Sequence, residues 1–342
     1  MSIPKLEFPP FHLPDEAEAL RGEIRAFLKE TLPGIQTEDR FASWNTPSPE
    51  FSRALGAKGW LGITWPKKYG GAERTFLDRY VVTEELLGNS APAGSHWVAD
   101  RQSGPLLLKF GSEQQRQAIL PRITRGECYF SIGMSEPDSG SDLASVRTRA
   151  EPVPGGFRVN GTKVWTSGAH RNHYCITLVR TSGQHGDRHK GLSQLLVDLK
   201  TPGVTIRPII NLAGRHDWNE VTFSDAFIPE DCLIGNEGDG WLQVTSELAF
   251  ERSGPERFMQ NVYVLRELIR VLGRQPAKRA NAIVGRLIAR LWTLRQMSTA
   301  VAGMMQGGKS PAIEASLVKD LGTIYEQDLP EIARTLAESD AT

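Results

Sequence analysis

Between Tyr129 and Ile228 the chain changes period. Short runs rich in β-branched and aromatic residues, at 147–151, 157–159, 163–165, 173–180, 192–198, 204–208 and 221–228, succeed one another with no helical pattern between them. Turn pairs at Gly155-Gly156 and Asn160-Gly161 separate the first of them. Strands joined by short turns predict a compact antiparallel barrel or sandwich. On both sides the apolar residues recur at helical spacing instead. Upstream, Asp15 reads as an N-cap for a helix whose Ala17, Leu20, Ile24, Phe27 and Leu28 share one face and which ends near Pro33-Gly34. Further helices are expected over 49–57, 76–87, 105–110 and 113–120, with the aromatic, Gly- and Pro-rich loop GWLGITWPKKYGG plugging a domain surface. Downstream of Asn236, helices are expected over 241–252, 262–272, 280–301 and 313–327. The fold class is therefore α+β: an α-helical N-terminal domain over residues 1–126, an antiparallel β-barrel middle domain over 127–236, and a C-terminal helical bundle over 237–342.

A chain of 342 residues is long enough for two or three packed regions and a deep site. Forty basic residues balance forty acidic ones, which favours neither nucleic acid nor a membrane surface as partner. Cys128, Cys175 and Cys232 are far apart and form no Cys-x-x-Cys pair, as in a reducing compartment, and Cys128 and Cys175 read as small core residues. The N-terminus carries neither an apolar signal core nor an Arg-rich transit pattern, and no apolar run is long enough to cross a bilayer. The expectation is a cytoplasmic protein without membrane insertion. His170 with His173, and His185 with His189 in the turn SGQHGDRHKG, have weak metal spacing, and no metal is expected.

The stretch that promises chemistry is CYFSIGMSEPDSGSD, Cys128 to Asp142, followed by KVWTSGAH, Lys163 to His170. In the first, a strand-like run breaks into hydroxyls, carboxylates and a glycine. Pro137 fixes one dihedral and removes one donor, while Gly140 lets a ligand approach the main chain, so N–H groups stand beside short hydroxyls. Such a loop suits a phosphate or a polar ring edge; it equally suits a turn whose Ser and Asp side chains cap their own backbone. Further on, Trp241, Val244 and Leu248 share a helical face and Glu251 falls one turn beyond them. Glu251 is then either a poorly solvated carboxylate at the end of an apolar stripe or a surface glutamate beside Glu247. Gly254-Pro255 should kink or loosen that helix just past it.

Taken together, GWLGITWPKKYGG, SEPDSGSD, KVWTSG, VTFSDAFIPEDCLIGNEGDGW and LAFER, in that order and over nearly the whole chain, resemble the acyl-CoA dehydrogenases, flavoproteins with a helical domain, a β-barrel and a helical bundle. The resemblance implies FAD as cofactor. It places Ile132, Met134 and Ser135 against the flavin ring edge, Gly140 and Ser141 near the pyrophosphate, Trp165 against the isoalloxazine, and Ser167 as a donor toward N5. Ser141 would also meet the substrate. Ser135 and Ser167 stand where threonine is commoner and keep the hydroxyl. The reaction implied is α,β-dehydrogenation of an acyl-CoA thioester to the trans-2-enoyl-CoA: Glu251, in LAFER, removes the α-proton, hydride leaves for the flavin, and electrons go on to an electron-transfer flavoprotein. Arg252 either pairs internally or meets the coenzyme A moiety.

The family's homotetramers usually carry an Arg-x-x-Phe-Gly segment and a glutamine early in the last domain, and NVYVLRELIRVLGRQPAKRANAIVGRL has no such segment. The chain also reads AESDAT where the family adds final helices and a Gly-Gly-Thr-rich loop. This marks a C-terminally short or truncated member, in which the closing segment is missing or is supplied by another chain in a homo- or hetero-oligomer, a dimer or a tetramer. Two alternatives to the simple enzyme therefore stand: a non-catalytic or half-site subunit of a hetero-oligomer, and a flavin oxidase or monooxygenase on the same scaffold.

Overall fold

A computed structural model describes residues 6–183, 187–250 and 253–337, with side chains for all of these except 247–250. Six helices precede the strands: α1 (Asp15–Thr31), α2 (Thr37–Ala42), α3 (Pro49–Ala57), α4 (Phe76–Gly88), α5 (Gly104–Phe110) and α6 (Glu113–Thr124). The strands are β1 (Phe130–Gly133), β2 (Arg149–Val153), β3 (Gly156–Lys163), β4 (Tyr174–Arg180), β5 (Leu192–Asp198), β6 (Val204–Ile210), β7 (His216–Pro229) and β8 (Leu233–Ile234). Then come α7 (Gly240–Phe250), α8 (Val262–Leu272), α9 (Lys278–Gln306) and α10 (Ala312–Leu336). The α+β order expected from the periodicity is the order found.

The chain packs as two compact units, each assembled from separate stretches. The first, from Met1–Pro47, Glu73–Ala93 and Ala249–Thr342, is helical. In α1 the apolar stripe Ala17, Leu20, Ile24, Phe27 and Leu28 is buried throughout. Asp15 is not the N-cap; Pro14 holds that position without a side-chain bond, and Asp15, Glu16 and Glu18 sit in the first turn, where the helix dipole favours carboxylates. α4 is capped by Thr75, whose hydroxyl meets the Asp78 amide while the Asp78 carboxylate returns to the Thr75 amide. Leu265, Leu268, Leu287, Leu294, Val318, Tyr325 and Leu329 form the core of α8, α9 and α10. α10 runs past 327 and through Pro330, because burial of Leu329 and Ala333 offsets the backbone bond that the proline removes.

The second unit, Ser48–Ala72 and Gly94–Leu248, holds all eight strands. Their order is β6-β7-β3-β2-β4-β5-β8, with β1 added on β4. Most pairs are antiparallel, as expected, but β1 runs parallel to β4 from Phe130↔Tyr174 to Gly133↔Thr177, and β2 meets β4 in parallel at Arg149↔Arg180. β6 and β8 end the order without pairing to each other, so the sheet is open where a closed barrel was expected. Asn160-Gly161 is no turn: β3 runs straight through it with a bulge, Gly161 at φ 146°, and the Asn160 side chain accepts from the Asp225 amide on β7. GWLGITWPKKYGG buries Trp65 and Tyr69 against Leu106, Leu107, Leu120 and Ile123 of α5 and α6 and against Phe130 of β1. That packing anchors β1 from one side. Cys128 and Cys175 are buried free thiols in two separate core clusters of this unit, as expected.

Candidate active site

The two motifs singled out in the sequence meet where β1 and β3 end. In β1, Phe130 and Ser131 are buried and Ile132 is half-buried against the core. Met134 follows, packed against a buried cluster of Val146, Leu178, Leu192 and Val244 of α7, on which Leu143 and Trp241 also pack. Three hydrogen bonds to main-chain carbonyls, besides an ion pair, bind the motifs together. The Ser131 hydroxyl donates to the Ser167 carbonyl at 2.7 Å, the Val164 amide donates to the Ser135 carbonyl at 2.9 Å, and Lys163 Nζ donates to the Met134 carbonyl at 3.0 Å.

Lys163 and Glu136 form the post around which the loop folds. Lys163 is fully buried, and its Nζ lies 2.8 Å from Glu136 Oε1. The same carboxylate accepts from the Arg147 amide at 2.7 Å, the Thr148 amide at 2.8 Å and the Thr148 hydroxyl at 2.5 Å. Burial works to raise the Glu136 carboxyl, but the Lys163 charge and these four donors outweigh it and hold it below the ordinary carboxylate range. Ser139 closes the turn with two backbone bonds to Glu136, and the hydroxyls of Ser139 and Ser145 both cap the Asp142 carbonyl. Self-capping is thus the work of part of the loop. Ser135, half-buried, and Gly140 and Ser141, exposed, take no part in it.

Trp165 departs from the sequence expectation. It is outside β3, in the left-handed region at φ 59°, and 59% of its surface is exposed, with Trp218 meeting it edge-on at 6.2 Å. A bulky residue holds that conformation only where its neighbours impose it. Here the imposing element is the next residue: buried Thr166 exchanges backbone bonds with Asn219 of β7 at 3.0 and 3.1 Å. Ser167 then emerges exposed. The proposed cofactor residues Ile132, Met134, Ser135, Gly140, Ser141, Trp165 and Ser167 are all exposed or half-buried, while Ser131, Gly133, Glu136, Lys163 and Thr166, interleaved with them, are buried. The buried set escaped the sequence reading. Its one visible signal is that each motif contributes one charge of opposite sign, Glu136 and Lys163.

Glu251 and Arg252 lie outside the described residues. The helix that leads to them carries Val244 buried with Val146, Leu178 and Leu192, and Trp241 half-buried against that cluster. It does not continue through the proline: Gly254 is extended and Pro255 opens a new 3-10 turn, Pro255–Arg257.

The acyl-CoA dehydrogenase N-terminal domain profile matches residues 14–127, and the middle-domain profile matches 131–226. Acyl-CoA dehydrogenase IpdE1 of Mycobacterium tuberculosis is 34% identical over 339 residues, which covers 93% of this chain and 85% of the relative. The chain belongs to the acyl-CoA dehydrogenase family. Among solved structures, the acyl-CoA dehydrogenase resembles the Tcur3481-Tcur3483 steroid ACAD at 27% identity and a TM-score of 0.85, covering 96% of this chain and 86% of that one. It resembles the ChsE4-ChsE5 complex from Mycobacterium tuberculosis at 29% identity and a TM-score of 0.82, covering 97% and 87%. The protein is an oxidoreductase acting on CH–CH donors, of an FAD-dependent family. Among the described residues, no helix is long and apolar enough to cross a membrane.

The residues present fit a flavin dinucleotide. Gly140 is not left-handed, and a Cβ built on it would meet no heavy atom within 4 Å, so the main chain there is open to the approach of a ligand. Asp138 and Asp142, the loop's exposed carboxylates, face Arg147 at 3.8 Å and Arg188 at 2.5 Å, which moderates their repulsion toward a diphosphate. Trp165 presents a flat apolar face, and Ser167 a hydroxyl beside it.

Proposed function

We propose that this acyl-CoA dehydrogenase converts an acyl-CoA thioester to its trans-2-enoyl-CoA and passes the electrons to an electron-transfer flavoprotein. The observation that carries the proposal is the bonded junction of the two motifs, held by the buried Lys163–Glu136 pair, from which Trp165 and Ser167 of one and Gly140 and Ser141 of the other emerge exposed and Ser135 half-buried. FAD, when bound, supplies the acceptor for the β-hydride. The chain's own residues do the rest. Ile132, Met134 and Trp165 give the ring an apolar wall that excludes water, and Ser135 and Ser167 direct hydroxyls to its polar edge. Gly140 and Ser141 receive the pyrophosphate, with Ser141 also reaching the substrate. Glu251 takes the α-proton, and Arg252 meets the coenzyme A moiety or braces the helix end.

A hetero-oligomeric form of this function has its own support. The Tcur3481-Tcur3483 and ChsE4-ChsE5 structures are pairs of different chains, and this chain covers most of the chain matched in each. We propose that a second chain of the same family completes the cofactor site, and that a bulky steroid-derived acyl thioester is the substrate class. The test is turnover of purified protein, alone and co-expressed with candidate sister chains, on steroid side-chain and straight-chain acyl-CoAs with an artificial electron acceptor. Enoyl-CoA formation from the steroid thioester by the pair is expected. Faster turnover of straight-chain thioesters contradicts the substrate class, and peroxide formed stoichiometrically without any acceptor points to an oxidase.

A further inference from the structure

Behind the turn that carries Trp165 and Ser167 lies a group of side chains with no part in the function proposed so far. Asn219, fully buried on β7, donates from Nδ2 to the Thr166 carbonyl at 2.9 Å, beside the two backbone bonds already described. With the amide so oriented, its Oδ1 is an acceptor, and two imidazoles converge on it: His216 Nε2 at 2.7 Å and His170 Nδ1 at 3.2 Å. Both rings must therefore offer an N–H there, which sets the tautomer of each when neutral. The rings stack with centroids 3.7 Å apart and planes 18° from parallel. His170 comes from the end of KVWTSGAH itself and His216 opens β7, so the stack pins the turn to the sheet from both ends.

We propose that Asn219, held by the stacked His170 and His216, is the positioning residue for the Trp165–Ser167 turn and so sets how tightly the flavin ring is held. This rests on the flavin reading of that turn. The turn needs such a support because Trp165 occupies a left-handed conformation that the chain does not adopt unaided. Thr166 has no hydroxyl partner among the described residues, so its main chain alone makes the link to Asn219.

The arrangement also makes the support sensitive to acid. Burial first, then the His216 and Arg171 charges, lower the His170 titration, against the Asn219 bond and Asp217, which raise it. His170 is thus neutral at pH 7 and gains a proton only below the usual imidazole range. A lowered pKa means that the pinned form is complete through that range and above it, and is lost as pH falls through the lowered value. Protonation keeps the His170 N–H bond to Asn219 but places a cation against the face of the His216 ring. Arg171 opposes that charge, and Asp217, 3.8 Å from Arg215 and bonded by Asn211, offsets only part of the opposition.

The experiment is titration of the full chain, with its partner chain where one is needed, with FAD from pH 7.5 to 5, in wild type, Asn219→Ala, His216→Phe, His216→Gln and His170→Phe. Wild-type affinity is expected to be level above about pH 6.5 and to weaken several-fold toward pH 5. Asn219→Ala, which removes the Nδ2 donor and leaves the Thr166 carbonyl only its backbone donor on β7, is expected to weaken FAD binding about tenfold or more at pH 7.5. His216→Phe should weaken it less, His216→Gln should restore affinity by supplying an N–H to Oδ1, and His216→Gln and His170→Phe should both flatten the acid limb. Wild-type-like affinity in Asn219→Ala, or an unchanged acid limb in both histidine variants, overturns the positioning role while leaving the flavin site standing. Wild type that binds no FAD overturns the flavin site and this role together.

Discussion

Glu251→Gln is expected to lower turnover by ~10²–10⁴-fold, the range that a positioned general base contributes, while FAD stays bound with an unaltered visible spectrum. Glutamine keeps the shape of the side chain and removes only the proton acceptor. The carboxylate at this position follows an apolar stripe in which Val244 is buried and Trp241 packs against the cluster that Val244 forms with Val146, Leu178 and Leu192. Poor solvation there would raise its pKa toward working pH, as a base for a weakly acidic α-carbon requires. The variant should also stop exchange of the substrate α-proton with deuterated solvent. Turnover within a few-fold of wild type, or exchange that persists in Glu251→Gln, would place the base elsewhere.

Lys163→Met should destabilise the strand-bearing unit by about 3–5 kcal/mol in urea unfolding, the usual result of removing one partner from a buried ion pair. Glu136 would then keep its bonds to Arg147 and Thr148 but lose the charge that offsets its burial. The double variant Lys163→Met/Glu136→Gln should recover much of the loss, since no charge remains buried. The pair's pH dependence has a definite sign. Because the folded Glu136 titrates below its unfolded value of about 4.5, its stabilisation is present above that pH and is lost as pH falls through the lowered folded value. In Lys163→Met the same carboxylate should titrate higher, and acid unfolding should begin at higher pH. A double variant as unstable as the single one would mean that shape, not charge, fixes this loop.

The elements that were legible in the sequence carry their signals locally. α3 begins at Pro49 because Ser48 caps the Phe51 amide and Pro49 suits the first turn, all within a few residues. The stripe of α1 is equally local. What misled was chemistry shared by two structures: Asn160-Gly161 has the composition of a hairpin turn, but a β-bulge also wants glycine at positive φ, and only pairing with β7, some sixty residues on, decides between them. Trp165 has strand propensity, and Asn219, more than fifty positions away, overrides it through Thr166. The site shows the same division. Its exposed face could be read from hydroxyls, glycine and tryptophan in sequence order, whereas burial of Lys163 against Glu136 could not, because a charged pair in a core looks like two ordinary surface residues until the strands are paired.

If SEPDSGSD and KVWTSG together hold FAD, an FAD titration of the purified full chain, alone and with its partner chain, will show it in flavin absorbance and fluorescence. Saturable binding is predicted, weakened roughly tenfold in Trp165→Ala through loss of the aromatic wall. Protein that remains colourless after added FAD in both settings, or Trp165→Ala that binds as tightly as wild type, would contradict it.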